Sequence, residues 1–154
     1  MNDIAAIKTT RELLDKYGLA ANKNYGQNFL VSMDVVNKTL AEINGNSLVL
    51  EIGPGLGALT EKLCEKAEEV ICWEIDERMV NVLERELDKD NLEIINEDFL
   101  EADVGKVVRE RKGKRECAVV SNLPYYITTP LLKKIFSAID GISRIIVMMQ
   151  KETA

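Results

Sequence analysis

Short apolar runs alternate with stretches of helical periodicity along most of this chain. Leu48 to Ile52, Val70 to Ile75, Leu92 to Ile95, Cys117 to Ser121 and Ile145 to Met149 read as five buried strands. Between them, apolar residues recur at three- and four-residue spacing. Leu59, Leu63 and Ala67 mark one helix, and Met79, Val80, Leu83 and Leu87 mark the next. A third helix is predicted near Val104 to Arg109. Thr129-Pro130 reads as an N-cap and first-turn pair opening a fourth, which carries Leu131, Leu132, Ile135 and Ile139. Ahead of the first strand, Val36, Leu40 and Ile43 predict a helix from Ser32 to about Ile43. Thr9-x-x-Glu12 has the form of a capping box and Gly18 that of a C-cap, so a short helix is expected from about Thr10 to Tyr17.

Strands alternating with helices predict an α/β fold. The arrangement is a doubly wound, mostly parallel sheet with helices on both faces, joined by right-handed crossovers. Ligands of such sheets bind at the carboxyl ends of the strands, near the switch in strand order. Residues 1–31 are expected to form an N-terminal helix and arm, and 32–154 the α/β domain. Gln150 to Ala154 follow the fifth strand directly. A hydrophobic strand left at an edge invites aggregation, so the expectation is a sheet truncated after its fifth strand.

Composition narrows the chemistry. The chain has 154 residues, 46% of them hydrophobic and 30% charged, as in ordinary soluble domains. No apolar run is long enough to span a membrane, and the N-terminus lacks a secretion signal, so a cytoplasmic protein is expected. Cys64, Cys72 and Cys117 are scattered, which reads as structural thiols rather than a metal site. There is no histidine. That removes the commonest general base and metal ligand. The net charge of −6 argues against a nucleic-acid binder when taken alone. Arg109, Arg111, Lys112, Lys114 and Arg115 form a local basic cluster, which reads as a solvated loop able to guide a polyanion.

Glu51-Ile-Gly53-Pro-Gly55-Leu-Gly57 lies between the first strand and its helix. Glycines there let the backbone turn tightly and approach a ligand. Gly53-x-Gly55-x-x-Ala58 also fits a dinucleotide fingerprint. Glu51 discriminates, because a carboxylate suits the sulfonium and ammonium of S-adenosylmethionine and suits a pyrophosphate poorly. Glu74, near the end of the second strand, is placed to accept from ribose hydroxyls, and Asp76 to cap the helix that follows. Asp98 offers either an acceptor for an adenine amine or a turn cap.

Asn122-Leu123-Pro124-Tyr125 follows the fourth strand. It is either an ordinary turn ahead of proline or a grip for a flat amine. As a grip, the Asn122 amide and the Leu123 and Pro124 carbonyls accept from an exocyclic amine, and Tyr125 stacks on the base. No histidine base is required, because the nitrogen's proton becomes acidic once the nitrogen is alkylated.

Taken together, these segments resemble the ribosomal RNA adenine dimethyltransferase family, from Tyr17-Gly18 to Ala154. Tyr25-Gly-Gln27-Asn28-Phe-Leu30 is similar to its N-terminal cofactor motif, and Glu51 to Gly57 to its methionine-binding loop. Glu74-Ile75-Asp76 and Glu97-Asp98-Phe99 resemble its ribose and adenine contacts. Asn122 to Pro130 resembles its catalytic loop, and Met149-Gln-Lys-Glu152 the segment after its fifth strand. The resemblance implies a Rossmann-like, S-adenosylmethionine-dependent methyltransferase. Gln27, Asn28, Leu30, Glu51, Gly53, Gly55, Gly57, Glu74, Ile75, Asp98, Phe99 and Asn122 would serve the cofactor. Asn122, Leu123, Pro124 and Tyr125 would hold the target adenine. The implied substrate is small-subunit ribosomal RNA in an immature subunit, with no metal or membrane. Family members continue into a small helical domain, so this chain is expected to be weakly active or inactive alone. Three alternatives stay open at this point: a macrolide-resistance methyltransferase of large-subunit RNA, a ribosome-assembly factor without catalysis, and an NAD-linked oxidoreductase.

Overall fold

The computed structural model describes residues 7–20, 32–122, 128–138 and 140–148. Five strands, β1 (Leu48–Ile52), β2 (Glu69–Trp73), β3 (Leu92–Ile95), β4 (Cys117–Asn122) and β5 (Arg144–Met148), form one parallel sheet in the order β3-β2-β1-β4-β5. Helices α1 (Ile7–Lys16) and α2 (Met33–Ala41) precede it. Then α3 (Ala58–Lys66), α4 (Glu77–Glu86), α5 (Val104–Arg111) and α6 (Thr128–Ser137) alternate with the strands. This is the expected doubly wound sheet.

The two-residue period of the strands sorts the core into two layers. Val49, Val70, Ala118 and Val120 face one side, where they pack with Leu59 and Leu63 of α3, Met79 and Leu83 of α4, and Val36 of α2. Leu48, Leu50, Ile71, Trp73 and Val119 face the other, against Val104 and Val108 of α5 and Leu131 and Ile135 of α6. Chain order therefore runs outward from β1 along one face and returns through β4 along the other. The reversal falls between β1 and β4, the central neighbours. β5 is half-buried at most, with Ile145 and Val147 on one face and Ile146 and Met148 on the other.

Several local expectations need correction. α1 is already helical at Ile7, so Thr9-x-x-Glu12 lies inside the helix and is not its start. Gly18, at φ +62°, does close that helix. Leu13 is buried in the α3–α4 core, and the Tyr17 hydroxyl donates to Glu86 Oε1 at 2.5 Å. Likewise α6 is formed by Thr128, which puts Thr129 and Pro130 within its first turn. Proline is tolerated there because the first N–H groups of a helix lack intrahelical partners anyway. β2 ends at Trp73, two residues before the predicted end.

No described helix is long and apolar enough to cross a membrane. Cys64, Cys72 and Cys117 are buried free thiols. Burial pushes Cys64 up to about 12 and Cys117 up to about 11, so both are neutral packing groups.

The loop after β1 is fixed to α4 by close packing at Gly57, which sits at φ +85°. A Cβ there would stand 2.7 Å from Leu83 Cδ2 and 2.8 Å from Leu87 Cδ1. Gly53 has φ +68° but open space around it. Gly57→Ala should therefore destabilise the protein by about 2–3 kcal/mol and Gly53→Ala by about 1 kcal/mol. Urea denaturation checks this ranking, and equal losses would contradict it.

Candidate cofactor and base site at the strand ends

The carboxyl ends of β1, β2 and β4 meet at the reversal point. β1 ends in Ile52, which is in register with Trp73 of β2 and Ser121 of β4. The ladder is tied off on both sides. Gly53 N–H donates to the Trp73 carbonyl at 2.9 Å, and Ser121 Oγ donates to the Ile52 carbonyl at 2.9 Å. Asn122, next along β4, is exposed and in register with Met148 of β5. Leu123, Pro124 and Tyr125 lie outside the described residues, as do Gln27, Asn28 and Leu30.

Glu74 follows β2 directly and is only 4% exposed. One carboxylate oxygen, Oε2, accepts from the Gly55 N–H at 3.1 Å, and the other, Oε1, accepts from the Asp76 N–H at 3.0 Å. The side chain thus bridges the glycine loop and the β2–α4 turn. Burial raises its pKa above the ordinary carboxylate value, while the backbone bonds from Asp76 and Gly55 pull the other way. Asp76 caps α4 as expected, accepting from the Arg78 N–H at 3.0 Å. Between them, Ile75 is left 44% exposed, an apolar face beside the Glu74 carboxylate.

Glu51 lies on β1, on the α3 face of the sheet, and is 3% exposed. Thr60 Oγ1 of α3 donates to its Oε2 at 2.6 Å. Burial, reinforced by the nearby Glu74, pushes the Glu51 carboxyl up to about 8 despite that bond. The carboxylate expected from the sequence is thus a buried acid that is mostly protonated at neutral pH. Glu61, on the first turn of α3, is also buried, and its Oε2 has no hydrogen-bond partner among the described residues.

On the far side of Glu74, Asn96 Nδ2 donates to the Glu74 carbonyl at 2.8 Å and holds the turn beneath Ile75. Asp98 caps a short 3-10 turn, Phe99–Glu101, accepting from the Leu100 N–H at 3.0 Å. The Phe99 ring is buried edge-on against Trp73, with centroids 5.4 Å apart, so it is a core group behind the site. Thr60, Ser121 and Asn96 escaped the sequence reading. Each acts through a contact between segments distant along the chain, and no spacing rule marks such contacts.

A second cleft, of 470 Å³, lies at the opposite end of the sheet, lined by Glu68, Glu69, Asp90, Glu93, Arg111 and Arg115 among others. Its charges are paired. Arg111 bonds Glu69 and Glu93, and Arg115 bonds Glu69 at 2.7 Å. Burial would raise Glu69, but the hydrogen bonds from Arg115 and Arg111 outweigh it and hold the carboxyl below its usual value. Two members of the predicted basic cluster are thereby engaged in closing the base of the sheet. Among the described residues no group of three or more His, Cys, Asp or Glu side chains could hold a metal.

The family model for ribosomal RNA adenine dimethylase matches residues 18–154. Ribosomal RNA small subunit methyltransferase A of Lachnoclostridium phytofermentans is 46% identical over 151 residues, covering 96% of this chain and 52% of that protein. The Streptococcus thermophilus protein of the same name is 48% identical over 155 residues, covering 98% of this chain and 53% of the other. The chain thus spans about half the length of the curated relatives it matches. Among solved structures, the 23S rRNA methyltransferase ErmE superposes with a TM-score of 0.62 at 28% identity, over 87% of this chain and 48% of that one. A dimethyladenosine transferase from Plasmodium falciparum gives 0.61 at 33% identity, over 78% and 41%.

The Glu51 geometry makes a stability prediction for the ligand-free protein. Its carboxyl titrates near 4.5 when unfolded and about 8 when folded. The fold therefore favours the protonated form, and that contribution is full below about 4.5 and lost as pH rises toward about 8. Glu51→Gln, a neutral isostere, should match wild type near pH 5 and melt on the order of 5 °C higher near pH 8. Thermal denaturation at the two pH values checks it; a difference independent of pH would contradict the assignment.

Proposed function

The chain belongs to the ribosomal RNA adenine dimethylase family, and from that premise we propose that it carries the cofactor and base sites of an S-adenosylmethionine-dependent methyltransferase. Its reaction is dimethylation of the exocyclic amines of two adjacent adenosines in small-subunit ribosomal RNA, in the cytoplasm, on an immature subunit.

The observation that carries this reading is the pair of buried acids, Glu51 and Glu74, at the glycine loop. A pyrophosphate would meet two acids there. It would also find the Gly55 N–H already donating to Glu74. A ligand bearing an ammonium and a sulfonium meets complementary charge instead. The open space over Gly53 leaves room for it, since a Cβ built there meets nothing within 4 Å. The NAD-linked alternative is the weaker fit for these reasons. Identity of 46–48% to two small-subunit methyltransferases, against 28% to the 23S enzyme ErmE, supports the choice of RNA.

S-Adenosylmethionine, when bound, supplies an electrophilic methyl group. The chain's own residues do the rest. Glu74, fixed by two backbone N–H groups, has remaining lone pairs for ribose hydroxyls. The exposed Ile75 offers an apolar surface for the adenine. Asn122, at the tip of β4, accepts an N–H of the target amine at its side-chain carbonyl; Leu123, Pro124 and Tyr125, outside the described residues, are assigned to the base by the family resemblance alone. Accepting that N–H draws the amine's lone pair out of conjugation with the ring. Positioning of this kind can supply roughly 7–11 kcal/mol. A paired base must first be extruded or presented in a loop.

The test is transfer of tritiated methyl to the two kinds of ribosomal subunit, by the 154-residue chain and by a version extended to a relative's full length. Small subunits should be labelled preferentially, and more weakly by the shorter chain. Asn122→Ala should reduce transfer about 100-fold or more while retaining S-adenosylhomocysteine binding. Normal transfer by that variant would remove Asn122 from the mechanism, and binding of NAD without S-adenosylhomocysteine would overturn the cofactor assignment.

A further inference from the structure

Thr60 is wholly buried, and it is the one hydrogen-bond partner of the Glu51 carboxyl among the described residues. The other groups around Glu51 are Cys64 of α3, Cys72 and Glu74 of the β2 segment, and Val120, its register partner in β4. Lys89, like Glu61 and Glu65, acts on Cys64, and among the described residues no basic side chain acts on Glu51 itself. Cys64 and Cys72 are held neutral by burial. A carboxylate in such a dry setting is costly unless a cation joins it. Among the described residues none supplies such a cation at Glu51, whereas the ligand proposed for this site brings one.

A carboxyl that is neutral in the empty site and charged in the loaded site needs a neighbour able to serve both forms. A hydroxyl does this, because it is both donor and acceptor. Facing the carboxylate, Thr60 Oγ1 donates, and the observed 2.6 Å separation is in the range of a charge-assisted bond. Facing the carboxylic acid, the same oxygen accepts. We propose that Thr60 is a positioning residue for Glu51, holding its carboxyl group in both protonation states and thereby coupling capture of the cationic cofactor to release of one proton. The step breaks only the Glu51 O–H bond; the proton leaves to solvent and the ligand's positive charge replaces it. This rests on the cofactor reading above.

The experiment is calorimetric titration of the 154-residue chain with S-adenosylhomocysteine, which keeps the ammonium and lacks the transferable methyl. It is run from about pH 6 to about pH 8.5 in buffers of different ionisation heat, so that proton release is counted directly. Wild type should release close to one proton near the acid end, and its affinity should rise about tenfold per pH unit toward about 8. Thr60→Val keeps the shape and removes the hydroxyl. It should move the midpoint upward and weaken binding near neutral pH about tenfold, with recovery at higher pH. Thr60→Ser should restore the wild-type profile, and Glu51→Gln should abolish both proton release and pH dependence. Tight binding by wild type without proton release, or a Thr60→Val profile that superimposes on wild type, overturns this proposal and leaves the cofactor reading standing. Failure of wild type to bind S-adenosylhomocysteine at any pH overturns both. If Thr60→Val does not fold, the wild-type proton count and the Glu51→Gln profile decide the matter.

Discussion

One buried carboxylate ties the site to the sheet. Glu74 accepts the Gly55 N–H with one oxygen and the Asp76 N–H with the other. The first bond fixes the glycine loop that leaves β1. The second fixes the turn that leads into α4, whose capping residue is Asp76 itself. Asn96 then holds the Glu74 carbonyl from the β3 side. Three strand ends are thus joined through one residue. Loss of this carboxylate would leave two buried or half-buried N–H groups without partners, a penalty usually greater than the bonds' own net contribution.

The alternation of the strands makes such a site possible. Leu48, Leu50 and Ile52 face α5 and α6, so Val49 and Glu51 must face α3. A polar residue placed on that side is buried beneath a helix and needs a partner from it. Thr60 is that partner. On β4 the same period puts Ser121 on the opposite face, where its hydroxyl bonds the last β1 carbonyl. The period of two therefore decides which polar residues meet helix and which meet a neighbouring strand.

Much of this was legible in the sequence. The five strands and the helices between them follow from apolar periodicity, and burial follows that periodicity. Gly18 and Asp76 were recognisable as caps because their roles are local. The failures share one cause. Thr9 and Thr129 have the right chemistry for N-caps, but the helices begin earlier, and tertiary packing overrides the local signal. Asp98 takes the turn cap, one of the two roles its position allows, and the Phe99 ring packs on Trp73. Glu51 stands out in the sequence as a carboxylate just ahead of the glycine loop. Its protonation could not be read, because it depends on a helix and a strand folding over it.

The two ends of the sheet use charge in opposite ways. At the amino ends, Arg111 and Arg115 meet Glu68, Glu69 and Glu93 in partly exposed pairs. Water and salt screen such pairs, so each contributes about 0–1 kcal/mol. Those arginines stand at the far end of the strands from Glu74 and Asn122, and with their charge matched they are poorly suited to steer a polyanion to the site. At the carboxyl ends, Glu51 and Glu74 are shielded from water and lack a cation among the described residues. There a carboxylate acts at low dielectric, and a carboxyl that can ionise only beside a cation discriminates strongly between ligands of opposite sign. The pair of buried acids at this site therefore favours a cationic ligand over an anionic one.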